Sequence, residues 1–131
     1  MEVMFKSTTA FEKDLRGLSK RDKDLVVRRI NELAHQYTTS KTSFYSSTYR
    51  PLKIKLLRGY GSSLYSARIN RNIRLVFAVD EDPLFDQLIF TLFRIALHPD
   101  DLSKLFASIA ESLYQSNLSD LVPRETANGE D

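Results

Sequence analysis

The segment LYSARI-NRN-IRLVFAV, residues 64–79, decides the fold class of this chain. Its two apolar runs are rich in β-branched and aromatic residues, and the polar triplet at 70–72 separates them. Runs of this kind, bounded by asparagines, are typical of two strands joined by a turn. The segment therefore predicts a β-hairpin over 64–69 and 73–79. The run over 87–97, rich in Ile, Phe and Leu, predicts a third strand of the same meander, after an acidic turn that ends in Pro83.

The alternation of side chains along a strand places two arginines together. Successive side chains point to opposite faces of a sheet. Ser66 and Arg68 are therefore predicted on one face, opposite Tyr65, and Arg74 is predicted on the face opposite Leu75. Because Arg68 and Arg74 flank the same turn, we expect them to share one face of the sheet.

Helical spacing dominates the sequence before this hairpin. After a short apolar strand at residues 3–5, Thr9 and Glu12 match a capping box, in which each side chain bonds the other residue's backbone amide. Ser19, three residues before Asp22, is a second helix start. Apolar residues recur at helical spacing in both segments: Phe11, Leu15 and Leu18, then Val26, Ile30, Leu33 and Tyr37. The pattern predicts two amphipathic helices that form a hairpin.

The remaining segments complete an α+β fold. Residues 38–50, rich in Ser and Thr, are predicted to be a loop, 51–57 an extended segment and 59–61 a turn. Apolar positions between 102 and 113 predict a C-terminal helix. We therefore predict a single domain over residues 1–117, with an N-terminal strand and helical hairpin packed on a mainly antiparallel sheet, plus the C-terminal helix. One sheet face is expected to stay partly open, and the polar tail, 118–131, is expected to be disordered.

Composition excludes several classes of function. The chain has 131 residues, no cysteine and two histidines, His35 and His98. Thiolate catalysis and Cys-ligated zinc are therefore excluded, and neither a histidine-based metal site nor a cofactor is expected. No apolar run reaches the roughly 20 residues needed to span a bilayer, and no secretory signal follows Met1. We predict a cytoplasmic protein that does not engage a membrane.

Positive charge is concentrated in the middle of the chain. The net charge is only +2, yet no acidic residue occurs between Glu32 and Asp80. That interval holds eight cations, Lys41, Arg50, Lys53, Lys55, Arg58, Arg68, Arg71 and Arg74, and five of the six tyrosines, Tyr37, Tyr45, Tyr49, Tyr60 and Tyr65. Cations neutralise phosphates and rings stack on bases, so the pattern favours an RNA-binding surface. A solvated basic face, or a surface for an acidic protein partner, has the same composition.

Three segments are similar to motifs of one known family. Residues 64–69 and 73–77, LYSARI and IRLVF, resemble the LWSRRI…HRLVY meander of the RelE/ParE toxin superfamily. The Pro51-Leu52-Lys53 segment, with the turn at 59–61, resembles the PLK…G approach to that meander. Residues 97–102, LHPDDL, are similar to the H-x-D-L ending of the YafQ branch, and YoeB-like members also keep a histidine there. The resemblance covers about residues 2–106.

The resemblance implies an activity and a set of partners. Members of the mRNA interferase branch are toxins of type II toxin–antitoxin systems that cleave mRNA on the ribosome. The implied partners are ribosome-bound mRNA and a cognate antitoxin, for which an acidic and partly disordered segment would suit the basic surface. Operator DNA is an implied partner only through the antitoxin.

The resemblance also implies roles for single residues. Arg74 matches the arginine that opens the RLVY strand, a catalytic or phosphate-contacting position. Arg68 matches a basic position that faces the substrate, and His98 matches the histidine at the end of the last strand. Two positions depart from the family: Arg50 stands where YoeB-like members have a glutamate, and Ser66 stands where the RelE type has a lysine. The identity of the general base therefore stays open.

The chemistry of metal-independent RNA cleavage fits these residue types. The 2′-OH attacks the adjacent phosphate, and guanidinium forks stabilise the added charge, so Arg74 and then Arg68 are assigned to the phosphate. His98 is assigned as general acid or base, since imidazole titrates near neutral pH. Further RNA contacts are predicted for Arg50, Lys53, Lys55, Arg71 and Tyr60. Tyr65 is a second candidate for stacking, although the alternation places it in the core.

Two alternative functions remain open at this point. A ParE-like protein would inhibit DNA gyrase by binding and would need no catalytic residues, whereas His98 favours the nuclease. A relative that only binds its antitoxin would account for Ser66 and Arg50.

Overall fold

The computed structural model describes residues 1–49, 63–109 and 111–112 of the chain. Its elements, in chain order, are β1 (Glu2–Ser7), α1 (Thr9–Arg16), α2 (Lys20–Thr39), α3 (Lys41–Ser46), β2 (Ser63–Arg68), β3 (Arg74–Asp82), β4 (Gln87–Ala96), a 3-10 turn (Pro99–Asp101) and α4 (102–109). The fold is α+β, as predicted. The predicted extended segment 51–57, the turn 59–61 and the tail 118–131 lie outside the described residues. None of the described helices is long and apolar enough to cross a membrane.

The four described strands form one mixed sheet in the order β1-β4-β3-β2. Strands β2, β3 and β4 form the predicted antiparallel meander, and β1 lies parallel to β4 at the edge. The sequence predicted the N-terminal strand but not its neighbour. The β3–β4 register shifts because Arg94 pairs with Val76 and Leu92 pairs with Phe77, which leaves Phe93 as an extra residue. This bulge bends β4 where α1 crosses it.

The main core lies between the sheet and the first three helices. The predicted helix positions Phe11, Val26, Ile30, Leu33 and Tyr37 are buried there, against the side chains of β3 and β4. Phe44 of α3 is fully buried at its centre. Its ring meets Tyr65, Phe77 and Phe90 nearly edge-on, at centroid distances of 5.2, 6.1 and 6.4 Å. This geometry is favourable for aromatic pairs, so the cluster fixes α3 on the sheet.

A smaller core covers part of the opposite face. Phe106 and Ile109 of α4 pack on Leu64, Val76 and Ala78. The predicted C-terminal helix is confirmed by α4. Of the described residues on this face, Leu64, Ser66, Val76 and Ala78 are buried, whereas Arg68 is exposed and Arg74 is half-buried, at the end where β2 stops and β3 begins.

The first helix begins one residue earlier than the predicted capping box. Thr8, not Thr9, is the N-cap, and its Oγ1 accepts a hydrogen bond from the Phe11 amide at 3.0 Å. The same hydroxyl donates to the carbonyl of Phe93 at 2.8 Å. Glu12 accepts a hydrogen bond from the Ser7 hydroxyl instead of bonding the cap amide. The contact with Phe93 of β4 favours Thr8 as the N-cap. Because this contact joins residues far apart in the chain, the local sequence does not indicate it.

The prediction of a loop over 38–50 was wrong. Helix α2 continues to Thr39, and Ser40 then caps α3 by accepting from the Ser43 amide at 3.3 Å. The loop was predicted because the segment is rich in Ser and Thr. The segment also contains Phe44, and the burial of this side chain stabilises the short helix. The predicted end of β3 at Val79 was also early: the strand runs to Asp82, which still pairs with Gln87 of β4.

Candidate functional site

Two arginines face each other at the exposed end of the sheet. Arg68, the last residue of β2, pairs directly with Arg74, the first residue of β3. Directly opposed residues of an antiparallel pair point to the same face. Arg68 is exposed and Arg74 is half-buried. Neither guanidinium makes an ion pair with a carboxylate in the part of the chain that the structure describes.

The turn between the strands holds both guanidinium groups. The carbonyl oxygen of Asn70 accepts from Arg74 Nη1 at 2.7 Å and from Arg68 Nε at 3.2 Å. The Asn70 side chain in turn accepts from the amides of Asn72 and Ile73, at 2.9 and 2.8 Å. This Asx turn fixes the carbonyl in place. Since the shared acceptor is neutral, no described group neutralises the two positive charges that meet at this turn.

The end of β4 brings His98 to the same end of the sheet. Ala96 pairs with Arg74, and His98 follows two residues later, at most about 7 Å further along the backbone. His98 is exposed and has an extended backbone. Its carbonyl accepts from the Asp101 amide at 3.1 Å, which starts the 3-10 turn. Topology therefore places the three residues predicted to be catalytic at one end of the sheet.

A third arginine supports this site from the helical side. Arg29 of α2 donates from Nε to the Arg68 carbonyl at 3.3 Å and from Nη2 to the Ser47 carbonyl at 3.1 Å. It also pairs with Glu32. Because its side chain is only 16% exposed, it ties the end of β2 to α2 and is not presented to a ligand. No local sequence signal indicates this contact, because it joins residues 39 positions apart.

Arg94, unlike Arg68 and Arg74, forms an ion pair with a described carboxylate. Its Nε and Nη2 donate to the two carboxylate oxygens of Asp14 at 2.7 and 3.2 Å, and the Ile95 amide donates to the same carboxylate at 2.9 Å. The hydrogen bonds with Asp14 raise the pKa of Arg94 above its ordinary value. Arg94 lines a cleft of about 210 Å³ between α1 and α4. The guanidinium of Arg94 is bonded to a carboxylate of α1, whereas Arg68 and Arg74 bond no carboxylate among the described residues.

Of the other residues predicted to contact RNA, the structure describes Arg71 and Tyr65. Arg71 is exposed in the turn between Arg68 and Arg74. The predictions for Arg50, Lys53, Lys55 and Tyr60 lie outside the described residues. Tyr65 is 4% exposed and packs in the main core, as the strand alternation predicted.

Tyr49 joins the site through a backbone contact that the sequence did not predict. Its amide donates to the Ser66 carbonyl and its carbonyl accepts from the Ser66 amide, both at 2.8 Å. This antiparallel bridge places one residue on the side of β2 opposite β3. The Tyr49 side chain therefore points to the same face as Ser66, Arg68 and Arg74. The pairing is long-range, so no local sequence signal would have revealed it.

The acidic residues of β3 lie at the other end of the sheet. Glu81 accepts from the Tyr37 hydroxyl and from Lys41 Nζ, the latter at 2.9 Å, and these two bonds lower the pKa of its carboxyl. Burial, and then the bond to Glu81, raise the pKa of Tyr37 well above its ordinary value. Lys41 also lies 5.2 Å from the centre of the Tyr37 ring. This network anchors α2 and α3 to β3 and takes Lys41 out of the predicted basic surface.

No family model matches the chain, and no curated protein or solved structure matches it significantly. Among the described residues, no group of three or more His, Asp or Glu side chains is arranged to hold a metal ion. The candidate site therefore rests on its own geometry and on the sequence motifs quoted above.

Proposed function

We propose that this protein is a metal-independent endoribonuclease of the toxin type, which cleaves mRNA by activating the 2′-OH of the substrate. The observation that carries the proposal is the opposed Arg68–Arg74 pair, whose charges no described carboxylate neutralises. The resemblance to the RelE/ParE superfamily adds the ribosome as the site of cleavage and a cognate antitoxin as the inhibitor.

The reaction forms one bond at phosphorus and breaks another. The 2′-oxygen attacks the adjacent phosphorus and loses its proton to a general base, while the P–O5′ bond breaks and the 5′-oxygen takes up a proton. The products are a 2′,3′-cyclic phosphate and a free 5′-hydroxyl. In this reaction Arg74 and Arg68 stabilise the added charge on the phosphorane, and His98 serves as the general acid or base.

Unused donors on both arginines support this assignment. Among the described residues, Arg74 is held through Nη1 and Arg68 through Nε, so Nη2 and Nε of Arg74 and both Nη atoms of Arg68 have no described acceptor and are the donors proposed for the phosphate. A fork that is already anchored loses little conformational entropy when it binds an anion. His98 lies at the same end of the sheet, next to the strand that borders Arg74.

Cleavage of ribosome-bound mRNA in EDTA tests the proposal. The purified full chain is compared with Arg74→Ala, Arg68→Ala, His98→Ala and Arg21→Ala, the last an exposed arginine of α2 that serves as control. We expect discrete breaks ending in 2′,3′-cyclic phosphate. Arg74→Ala should lower the rate by about 10²–10³ and His98→Ala by about 10²–10⁴, while Arg21→Ala keeps the wild-type rate.

Two results would overturn the proposal. Unchanged cleavage in both Arg74→Ala and His98→Ala would remove the site from the reaction. Intact mRNA together with inhibited DNA gyrase in the presence of the wild-type chain would favour the ParE-like alternative.

A further inference from the structure

Exposure separates the tyrosines that pack from those that could meet a ligand. Tyr37 and Tyr65 are 8% and 4% exposed and belong to the main core. Tyr45 is 46% exposed, but its ring stacks on Tyr65, on the helical side of the sheet. Tyr49 is 61% exposed. Among the tyrosines that the structure describes, it alone presents its ring on the face of Arg68 and Arg74.

The strand register fixes where this ring stands relative to the arginines. Tyr49 is bridged to Ser66, which pairs with Val76, and the next row on the same face holds Arg68 and Arg74. Tyr49 and Arg68 are therefore diagonal neighbours, with backbones about 7–8 Å apart.

The ring is not required for the fold at this position. Both hydrogen bonds that hold residue 49 against β2 come from its backbone, so another side chain would keep them. At 61% exposure the side chain gains little from packing on the described residues, and water contact with its apolar surface is unfavourable. A planar ligand that covered the ring would remove that cost.

We propose that Tyr49 is a base-stacking platform, and that the site takes single-stranded RNA with one unstacked base on this ring and the neighbouring phosphate between Arg68 and Arg74. The inference rests on the proposed function and adds the substrate class to it. Every base has a π face, so the ring selects single strands over duplexes without reading sequence.

Binding of two uncleavable oligonucleotides of equal charge tests the inference. One is a decamer of 2′-O-methyl uridine, and the other is an abasic decamer that carries the same phosphates. Fluorescence anisotropy at fixed salt gives the affinity of the full chain for each. We expect the wild type to prefer the uridine decamer by about tenfold, Tyr49→Ala to abolish that preference, and Tyr49→Phe to keep it.

Two further variants separate the ring from the phosphate contacts. Phe85→Ala removes an aromatic side chain that is 67% exposed in the β3–β4 turn, at the other end of the sheet, and should keep the preference. Arg74→Ala should weaken binding of both decamers alike. If Tyr49→Ala keeps the wild-type preference while Arg74→Ala weakens both decamers, the stacking inference is overturned and the phosphate site stands. If the wild type binds neither decamer, the stacking inference is overturned, whereas the proposed function is decided by the cleavage assay on ribosome-bound mRNA.

Discussion

Arg68 and Arg74 bond the same acceptor, the carbonyl oxygen of Asn70, at 3.2 and 2.7 Å. Two guanidinium groups repel each other, and the hydrogen bonds to the hairpin turn hold both side chains against this repulsion. The partial negative charge of one carbonyl lowers the repulsion without cancelling either positive charge. Such a pair is ready to receive an anion with two or more oxygens, and a phosphodiester is one.

The turn that carries this carbonyl is expected to depend on the Asn70 side chain. Asn70→Ala removes two hydrogen bonds to backbone amides. We expect the free energy of unfolding to fall by about 1–2 kcal/mol, measured by urea titration. Asn70→Asp keeps both acceptors and should stay within about 1 kcal/mol of the wild type, but its carboxylate would lie beside the arginines and weaken RNA binding. Equal RNA affinity in Asn70→Asp and the wild type would contradict this role of the turn.

The Asp14–Arg94 pair is expected to be a main link between α1 and the sheet. Asp14→Ala would strip Arg94 of its partner and leave the Ile95 amide without its acceptor. Because the two side chains are 19% and 34% exposed, we expect a loss of about 2 kcal/mol rather than the larger cost of a fully buried pair. The double variant Asp14→Ala/Arg94→Met should recover part of this loss in urea unfolding. A double variant that loses more stability than the two single variants lose together would argue against this coupling between Asp14 and Arg94.

The Glu81 network is expected to make stability depend on acidity. The Tyr37 hydroxyl and then the Lys41 ammonium hold the pKa of Glu81 below its ordinary value of 4.5. A carboxyl with a depressed folded pKa stabilises the protein above its unfolded pKa, and this contribution is lost as the pH falls through the folded pKa. Glu81→Gln should therefore be less stable than the wild type at pH 7, and the difference should shrink below about pH 4.5.

Urea unfolding of both proteins at several pH values checks this expectation. Lys41→Met provides a companion variant, because removing one donor should weaken the pH dependence without abolishing it. A stability difference between Glu81→Gln and the wild type that stays constant from neutral to acidic pH would show that the Glu81 charge contributes nothing.

Phe44 is expected to be among the most sensitive core positions. Its side chain is fully buried and touches rings from α2, β2, β3 and β4. Phe44→Ala should cost about 3–5 kcal/mol, as is usual for a buried phenylalanine. Phe85→Ala, at an exposed position, should stay within about 0.5 kcal/mol of the wild type. Comparable losses in the two variants would mean that α3 does not depend on the packing of this ring.

Local periodicity was sufficient to predict much of this structure. The helix faces that carry Val26, Ile30 and Leu33 were predicted correctly, because a repeat of 3.6 residues acts within one element. The common face of Arg68 and Arg74 was predicted for a similar reason, since both flank one short turn and strand side chains alternate. The opposite and buried position of Tyr65 followed from the same alternation.

The sequence by itself determined the two long helix faces, the meander and the face on which Arg68, Arg74 and Tyr65 lie, because these depend on steric rules between residues a few positions apart. Only the tertiary structure decided that β1 pairs with β4, that Thr8 caps α1 through Phe93, and that Tyr49 lies beside Ser66. Those contacts join residues far apart in the chain, and many partners would satisfy the same backbone groups equally well. The choice among them is made by the packing of the whole core, which no single segment encodes.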